Sequence, residues 1–276
     1  MTEPIEELSR LCIHTITTKP WSLEEALDQY TARGIRAMSV WQNAIESMGA
    51  VKAGERIRQY PMEVVSYVRG GFFPSISLSK RQDAIDDNKK LLEEAAALGA
   101  PLLVLVCGAD SGQSLAKSRK QIREGIEAIL PHAESLGVRL GIEPLHPMYA
   151  GARSAINTLE QANDLASFIE SDLVGVVVDV YHLWWDMHLK RQILRSGLED
   201  YLFAYHICDW KVPTEDMLND RGLMGEGCIP LRQIRGWMEE ASFDGYHEVE
   251  IFSNRYWSMN QAEFLDQIIN AYLNHA

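Results

Sequence analysis

Four side chains able to bind a metal stand at the ends of four apolar runs in the second half of this sequence. Glu143 closes "RLGIEP", Asp179 closes "VVVDV", His206 lies in "FAYHICD" and Glu250 in "HEVEIF". Runs of this composition read as strands covered on both faces, typically in parallel sheets. A carboxylate at the end of a buried strand is costly unless a metal ion, a basic partner or solvent compensates its charge. On four consecutive parallel strands, these ends would bring three carboxylates and one imidazole over one mouth. Oxygen-rich with one nitrogen, that set suits Mn²⁺ or Mg²⁺, and Co²⁺ or Zn²⁺ can also use it. Glu248 shares a strand face with Glu250 by the period-two rule, so either can be the fourth ligand. Glu250 is preferred because it is nearer the C-terminal end.

Other polar residues surround these ends. His182, three positions after Asp179, is placed to bond a substrate oxygen or to cap the following helix. His14 and Trp41, at the ends of the first two strands, would point into the same mouth as substrate contacts or rim packing. Asp209 and Lys211 open a long stretch, residues 209–230, as substrate-facing groups or as an exposed ion pair. Trp184 and Trp185 read as packing on a neighbouring helix or on the rim.

The elements that would position these residues recur along the chain. Amphipathic segments close on a glycine and an apolar strand follows, at Gly34, Gly99, Gly137, Gly175 and Gly245. Glycine enters the left-handed region without steric cost, so each phrase predicts helix end, turn and strand. Two of the intervals between these glycines are about twice the others, and each contains a further strand, "EVVSYVRGG" and "LFAYHICDW". With "LCIHTI" at the start, eight strands alternate with helical segments. In one of these, Ile85, Leu91, Leu92, Ala95 and Leu98 share a face. The pattern predicts an α/β fold, a single-domain (β/α)₈ TIM barrel over residues 1–276, with an open doubly wound sheet as the second reading. Residues 209–230 would then lie as an irregular loop on the face that carries chemistry.

Composition excludes several classes. The start "MTEPIEELSR" is acidic where a secretory signal needs basic and apolar residues, and no run is long enough to span a membrane, so the expected location is cytoplasmic. Four scattered cysteines argue against a zinc knuckle or a disulfide framework. A net charge of −13 opposes binding to a phosphate backbone, so neither nucleic acid nor membrane is an expected partner. The sequence leaves homo-oligomer formation open. No phosphate-binding loop is visible, which points to an unphosphorylated substrate.

"IEP" at Glu143, "DVYH" with Asp179 and His182, "HICD" with His206 and Asp209, "MGEG" around Glu226 and "VEIF" at Glu250 together resemble the signatures of the xylose-isomerase-like TIM barrels. That family includes sugar isomerases, ketose 3-epimerases, inosose dehydratases and endonuclease IV. The resemblance implies one divalent metal, Mn²⁺ first, bound by Glu143, Asp179, His206 and Glu250, with Glu143 and Glu250 also exchanging protons with substrate. Two departures stand out. After Glu143, "EPLHPMYAG" supplies His146, here a substrate-binding candidate, where the epimerases carry a further glutamate. Strand four ends in Cys107, where endonuclease IV needs a histidine.

The chemistry this implies is proton transfer next to a carbonyl. A metal chelated by the carbonyl and a neighbouring hydroxyl stabilises the enediolate left when the proton departs. Two carboxylates on opposite sides of the substrate plane then act as base and acid. Proton return to the opposite face epimerises, return to the neighbouring carbon isomerises, and loss of a β-hydroxyl dehydrates. The expected function is therefore a sugar or cyclitol isomerase or epimerase. The alternative is a dehydratase or lyase acting on a keto-sugar, keto-inositol or 3-keto-glycoside, and a barrel that binds a sugar without turnover is the non-enzymatic reading.

Overall fold

Short apolar strands that are each followed by an amphipathic helix have two faces to cover, and closing the sheet on itself covers both. The computed structural model describes residues 4–276 and contains that closure. Strands β1 (Leu11–His14), β2 (Ala37–Trp41), β3 (Glu63–Gly71), β4 (Leu102–Val106), β5 (Arg139–Glu143), β6 (Val174–Asp179) and β7 (Leu202–Ile207) follow one another around the barrel. A small antiparallel ribbon, β8 (Asp209–Trp210) with β9 (Arg221–Gly222), precedes the last barrel strand, β10 (His247–Val249). Parallel pairing of β10 with β1 and β7 shuts the ring.

Alternation along the strands sorts the side chains into two layers. Leu103 and Leu105 of β4, Ile142 of β5, Val176 and Val178 of β6 and Tyr205 of β7 pack in the layer under the helices. Val68, Leu102, Val104, Val177 and Ala204 meet inside the barrel, with Trp41 and Phe203 against them. Gly141 leaves them room, since a Cβ there would lie 2.8 Å from Val177 Cγ2. Two residues beyond Gly141, Val177 and Ala204 on the same inward face come Glu143, Asp179 and His206. The interior thus changes from apolar floor to polar mouth within one alternation.

The helices begin on side-chain caps: Ser22, Ser77, Ser114 and Thr158 each accept a hydrogen bond from a first-turn backbone N–H. Gly99 and Gly137 end the helices Leu78–Leu98 and Leu115–Leu136 in left-handed conformation, as expected. Two of the five glycine phrases differ. Gly175 lies inside β6, and the helix before it ends on Glu170. Ahead of Gly245, Ser242 takes the positive φ. Among the described residues, no helix is long and apolar enough to cross a membrane.

Leu102 is almost wholly buried in the barrel floor. Leu102→Ala should destabilise by about 2–5 kcal/mol, the usual range for opening a cavity in a packed core. Urea unfolding checks this: the midpoint should fall with the slope unchanged, and a loss under about 1 kcal/mol would mean the floor is loosely filled.

Candidate metal centre

The period-two rule and the pairing register bring the four sequence-derived ligands together. Asp179 is paired with His206, and Glu143 lies beside Val106. One donor atom from each of Glu143, Asp179, His206 and Glu250 can be chosen so that all lie within 4.8 Å of one another, and all four residues are buried. His206 Nδ1 is 3.2 Å from Glu143 Oε1. Asp179 accepts a 2.7 Å bond from the Tyr181 backbone N–H, which starts the short turn after β6 and carries His182 to the mouth.

Glu248 belongs to a different layer. Its Oε2 accepts from Ser39 Oγ at 2.5 Å and Ser66 Oγ at 3.3 Å, lies 3.1 Å from His14 Nε2 and faces His206 Nε2 at 3.7 Å. His14 is fully buried and bridges the two glutamates, its Nδ1 lying 3.0 Å from Glu250 Oε1. One imidazole, His206, is therefore presented on one edge to the donor cluster and on the other to a carboxylate. At 3.7 Å the Glu248 charge stands at ion-pair range without a hydrogen bond to Nε2, on the side from which an outer carboxylate biases a histidine ligand.

Sequence reading missed Arg221, which comes up from β9 and is buried at 4 % exposure. Its Nη1 donates to Asp179 Oδ2 at 3.0 Å and to Glu250 Oε2 at 2.8 Å, and its Nη2 lies 3.2 Å from His182 Nε2. Tyr181 and Phe252 sandwich the guanidinium, with ring centroids at 4.4 and 5.2 Å. An arginine in a long acidic loop has no spacing signal, so only the ribbon's fold reveals it.

The charges explain the protonation pattern. Burial raises Asp179 to about 6 against the pull of Arg221. Burial would raise Glu250 too, but His14 and Arg221 hold it well below the ordinary carboxylate range. Burial and the adjacent Arg221 push His182 well down, so its ring is neutral. Arginine only donates, so His182 Nε2 accepts and Nδ1 carries the proton. That Nδ1 is buried without a hydrogen-bond partner. Burial opposes a charge on His206, yet Glu248 and Glu143 raise it to about 10.

The remaining sequence candidates divide. Trp41 and His182 line the cavity above the cluster, with Tyr149, Leu218 and Phe252. His14 lies beneath it. His146 packs at 5.2 Å on Trp210 and 5.7 Å from Trp185, so the tryptophan after Trp184 is rim packing. Asp209 is buried and accepts backbone N–H bonds from Trp210, Gly225, Gly227 and Ile229, which ties the long loop into its ribbon. Lys211 pairs with Asp220, not with Asp209. The loop expected to be irregular is thus an anchored cover over the mouth.

A closed eight-stranded barrel with this cluster at the C-terminal strand ends places the chain in a known class. Its residues 22–268 match the xylose isomerase-like TIM barrel family, and the chain belongs to it. An inosose isomerase of Bacillus velezensis is 25% identical over 268 residues, 92% of each chain. Among solved structures, protein SMc04130 from Sinorhizobium meliloti 1021 is 43% identical with a TM-score of 0.95, over 98% of this chain and 99% of that one. The IOLI protein, crystallised with a zinc atom, superposes with a TM-score of 0.81 at 21% identity, over 95% and 96% of the two chains. A D-psicose 3-epimerase crystallised in the presence of D-fructose gives 0.77 at 15% identity, over 95% and 96%. The last two likenesses are of fold. The family includes sugar isomerases and epimerases, and this member carries a buried His/Glu cluster as its candidate metal site.

The donor set fits a divalent ion: three carboxylates share one buried cluster with a single guanidinium, and His206 turns a nitrogen toward them. Two outcomes follow. His206 must lose its proton to ligate, so divalent metal should bind about tenfold tighter per pH unit from 7 to 9, releasing a proton. Titration calorimetry in buffers of different ionisation enthalpy reads this, and a pH-independent affinity would mean that His206 is already neutral in the metal-free protein. In metal-free protein the same raised pKa contributes stability that is complete below the ordinary 6.5 and lost as pH climbs through about 10. Separately, Glu248→Gln should weaken metal binding about 10- to 100-fold while leaving one site per chain. Chelator competition measures it, and an unchanged affinity would remove Glu248 from any positioning role.

Proposed function

We propose that this chain is a divalent-metal-dependent isomerase or epimerase that moves a proton next to the carbonyl of a sugar or cyclitol. Glu143, Asp179, His206 and Glu250 would hold the ion, with Mn²⁺ first and Mg²⁺, Co²⁺ or Zn²⁺ as alternatives. When bound, the ion supplies a Lewis acid that polarises the substrate carbonyl.

The observation that carries the reading is the placing of the two glutamates. β5 and β10 are separated in the ring by β6 and β7, so Glu143 and Glu250 approach the cavity from different sides with Asp179 and His206 between them. One carboxylate can take a proton from one face of a substrate while the other returns it. His182 offers its unspent Nδ1–H to a substrate oxygen, and Arg221 brings fixed positive charge to where an oxyanion develops. Trp41 and Phe252, edge to face at 5.1 Å, form an apolar wall suited to a sugar face. The inosose isomerases among the relatives support a cyclitol or sugar substrate.

A second reading, loss of a β-hydroxyl as water, uses the same residues. It is favoured by the segment after Glu143, where no second carboxylate follows and His146 is folded onto Trp210. Product mass separates the two. Metal-loaded protein in D₂O with inososes and ketoses should give products carrying deuterium at unchanged carbon-oxygen composition, whereas a dehydratase loses the mass of water. Glu143→Gln and Glu250→Gln should each slow deuterium entry by about 10²- to 10⁴-fold. No deuterium entry and no mass change with metal bound would sink both enzymatic readings.

A further inference from the structure

Two arginines at the mouth have work left to do. Arg69 and Arg153 line the same pocket as Glu143, His182, Arg221 and Glu250. Both are half-buried, and among the described residues neither guanidinium makes an ion pair or a hydrogen bond. Instead they rest on aromatic rings: Arg69 lies 4.7 Å from the Phe72 centroid and 5.9 Å from that of Trp41, and Arg153 lies 5.7 Å from that of Tyr149. Stacking on a ring face orients a guanidinium and leaves its N–H donors unspent.

The backbone puts them there. Strand β3 shifts register against β4 between Val68 and Gly70, which leaves Arg69 as the bulged residue. Val68 points to the barrel floor and a Cβ on Gly70 would meet Leu103 and Leu105 in the outer layer. The bulge therefore gives β3 a second consecutive inward residue, Val68 in the floor and Arg69 at the mouth, a known use of bulges beside active sites. Arg153 is pinned through its main chain, with its N–H donating to Tyr149 O and its C=O accepting from the Gly108 N–H, both at 2.9 Å.

None of the nearby acids forms an ion pair with either guanidinium, and Glu143 and Glu250 act on Arg69 only at a distance. With a divalent ion seated, the three ligand carboxylates carry one net negative charge, and Arg221, bonded to two of them, offsets it. Glu248 is engaged one layer down with His14 and two serines. Arg69 and Arg153 are then surplus cations in a chain whose net charge is −13. Resting on the proposed function of the site, we propose that its substrate carries an anionic group, a carboxylate or a phosphate, gripped by Arg69 and Arg153 while its keto end faces Glu143 and Glu250. The pair would supply the anion contacts for either group without a phosphate-binding loop.

The test is equilibrium binding to metal-loaded protein at fixed ionic strength, with fructose, a fructose monophosphate and ketogluconate as neutral, phosphate and carboxylate probes. One anionic probe should bind about 10- to 100-fold tighter than fructose, the range for a lost or gained charge-assisted contact. The better anion identifies the source. Arg69→Gln/Arg153→Gln should remove that preference with metal content and melting temperature at wild-type values. Added salt should shrink the preference in the unmodified protein, a readout that needs no variant to fold. Fructose binding as tightly as both anions, or a preference that survives in the double variant, overturns the proposal. Binding does not need turnover, so the two readings fail separately. Arginine-dependent anion binding without deuterium entry removes the proposed chemistry and keeps the anion site. Deuterium entry into fructose with no anion preference does the reverse.

Discussion

Three carboxylates in one buried cluster repel each other, and the rest of the mouth is organised around that repulsion. The strands cannot relieve it, because alternation fixes Glu143 and Asp179 on the inward face of β5 and β6 and Glu250 just past β10. Relief comes from cations brought to the cluster. Arg221 arrives on a ribbon, between Asp179 and Glu250, and the donor geometry leaves a place for a divalent ion beside His206. Without such charge, carboxylates at this depth would take up protons, the direction in which burial already drives Asp179.

The layer beneath keeps the cluster in shape. Glu248 is held by Ser39 and Ser66, bonds His14 at 3.1 Å and faces His206 at 3.7 Å, so its charge sits beneath both rings on the side away from the mouth. Below it, Val68, Leu102, Val104, Val177 and Ala204 fill the barrel and supply the rigidity. Strand residues two apart thus serve three purposes along one inner face, and a substitution in the floor acts on the site only through stability.

How much of this was legible follows from where each residue sits. Glu143, Asp179, His206 and Glu250 could be read because each interrupts an apolar run, and an interruption at a strand end is a local pattern. The barrel could be read because its helix caps and apolar periods recur. Arg221, Arg69 and Arg153 could not, since their placement depends on a ribbon register, a bulge and a backbone clamp that pair residues far apart in sequence. Asp209 and Lys211 looked like a pair by proximity, yet each is claimed by a different part of the same loop. His14, read as pointing into the mouth, lies beneath the donor cluster, at a depth that depends on the closure of a short first strand with β10.

Acids and cations therefore have different structural origins here. The acids and His206 ride on or just past barrel strands, whose positions barrel closure fixes. The cations come from irregular backbone: the ribbon, the bulge within β3 and the segment after β5. The family match over residues 22–268 covers the strands that carry the acids as well as the segments that carry the cations. On the proposal above, the choice of substrate falls to Arg69, Arg153 and Arg221, set against acids that the strands hold in place.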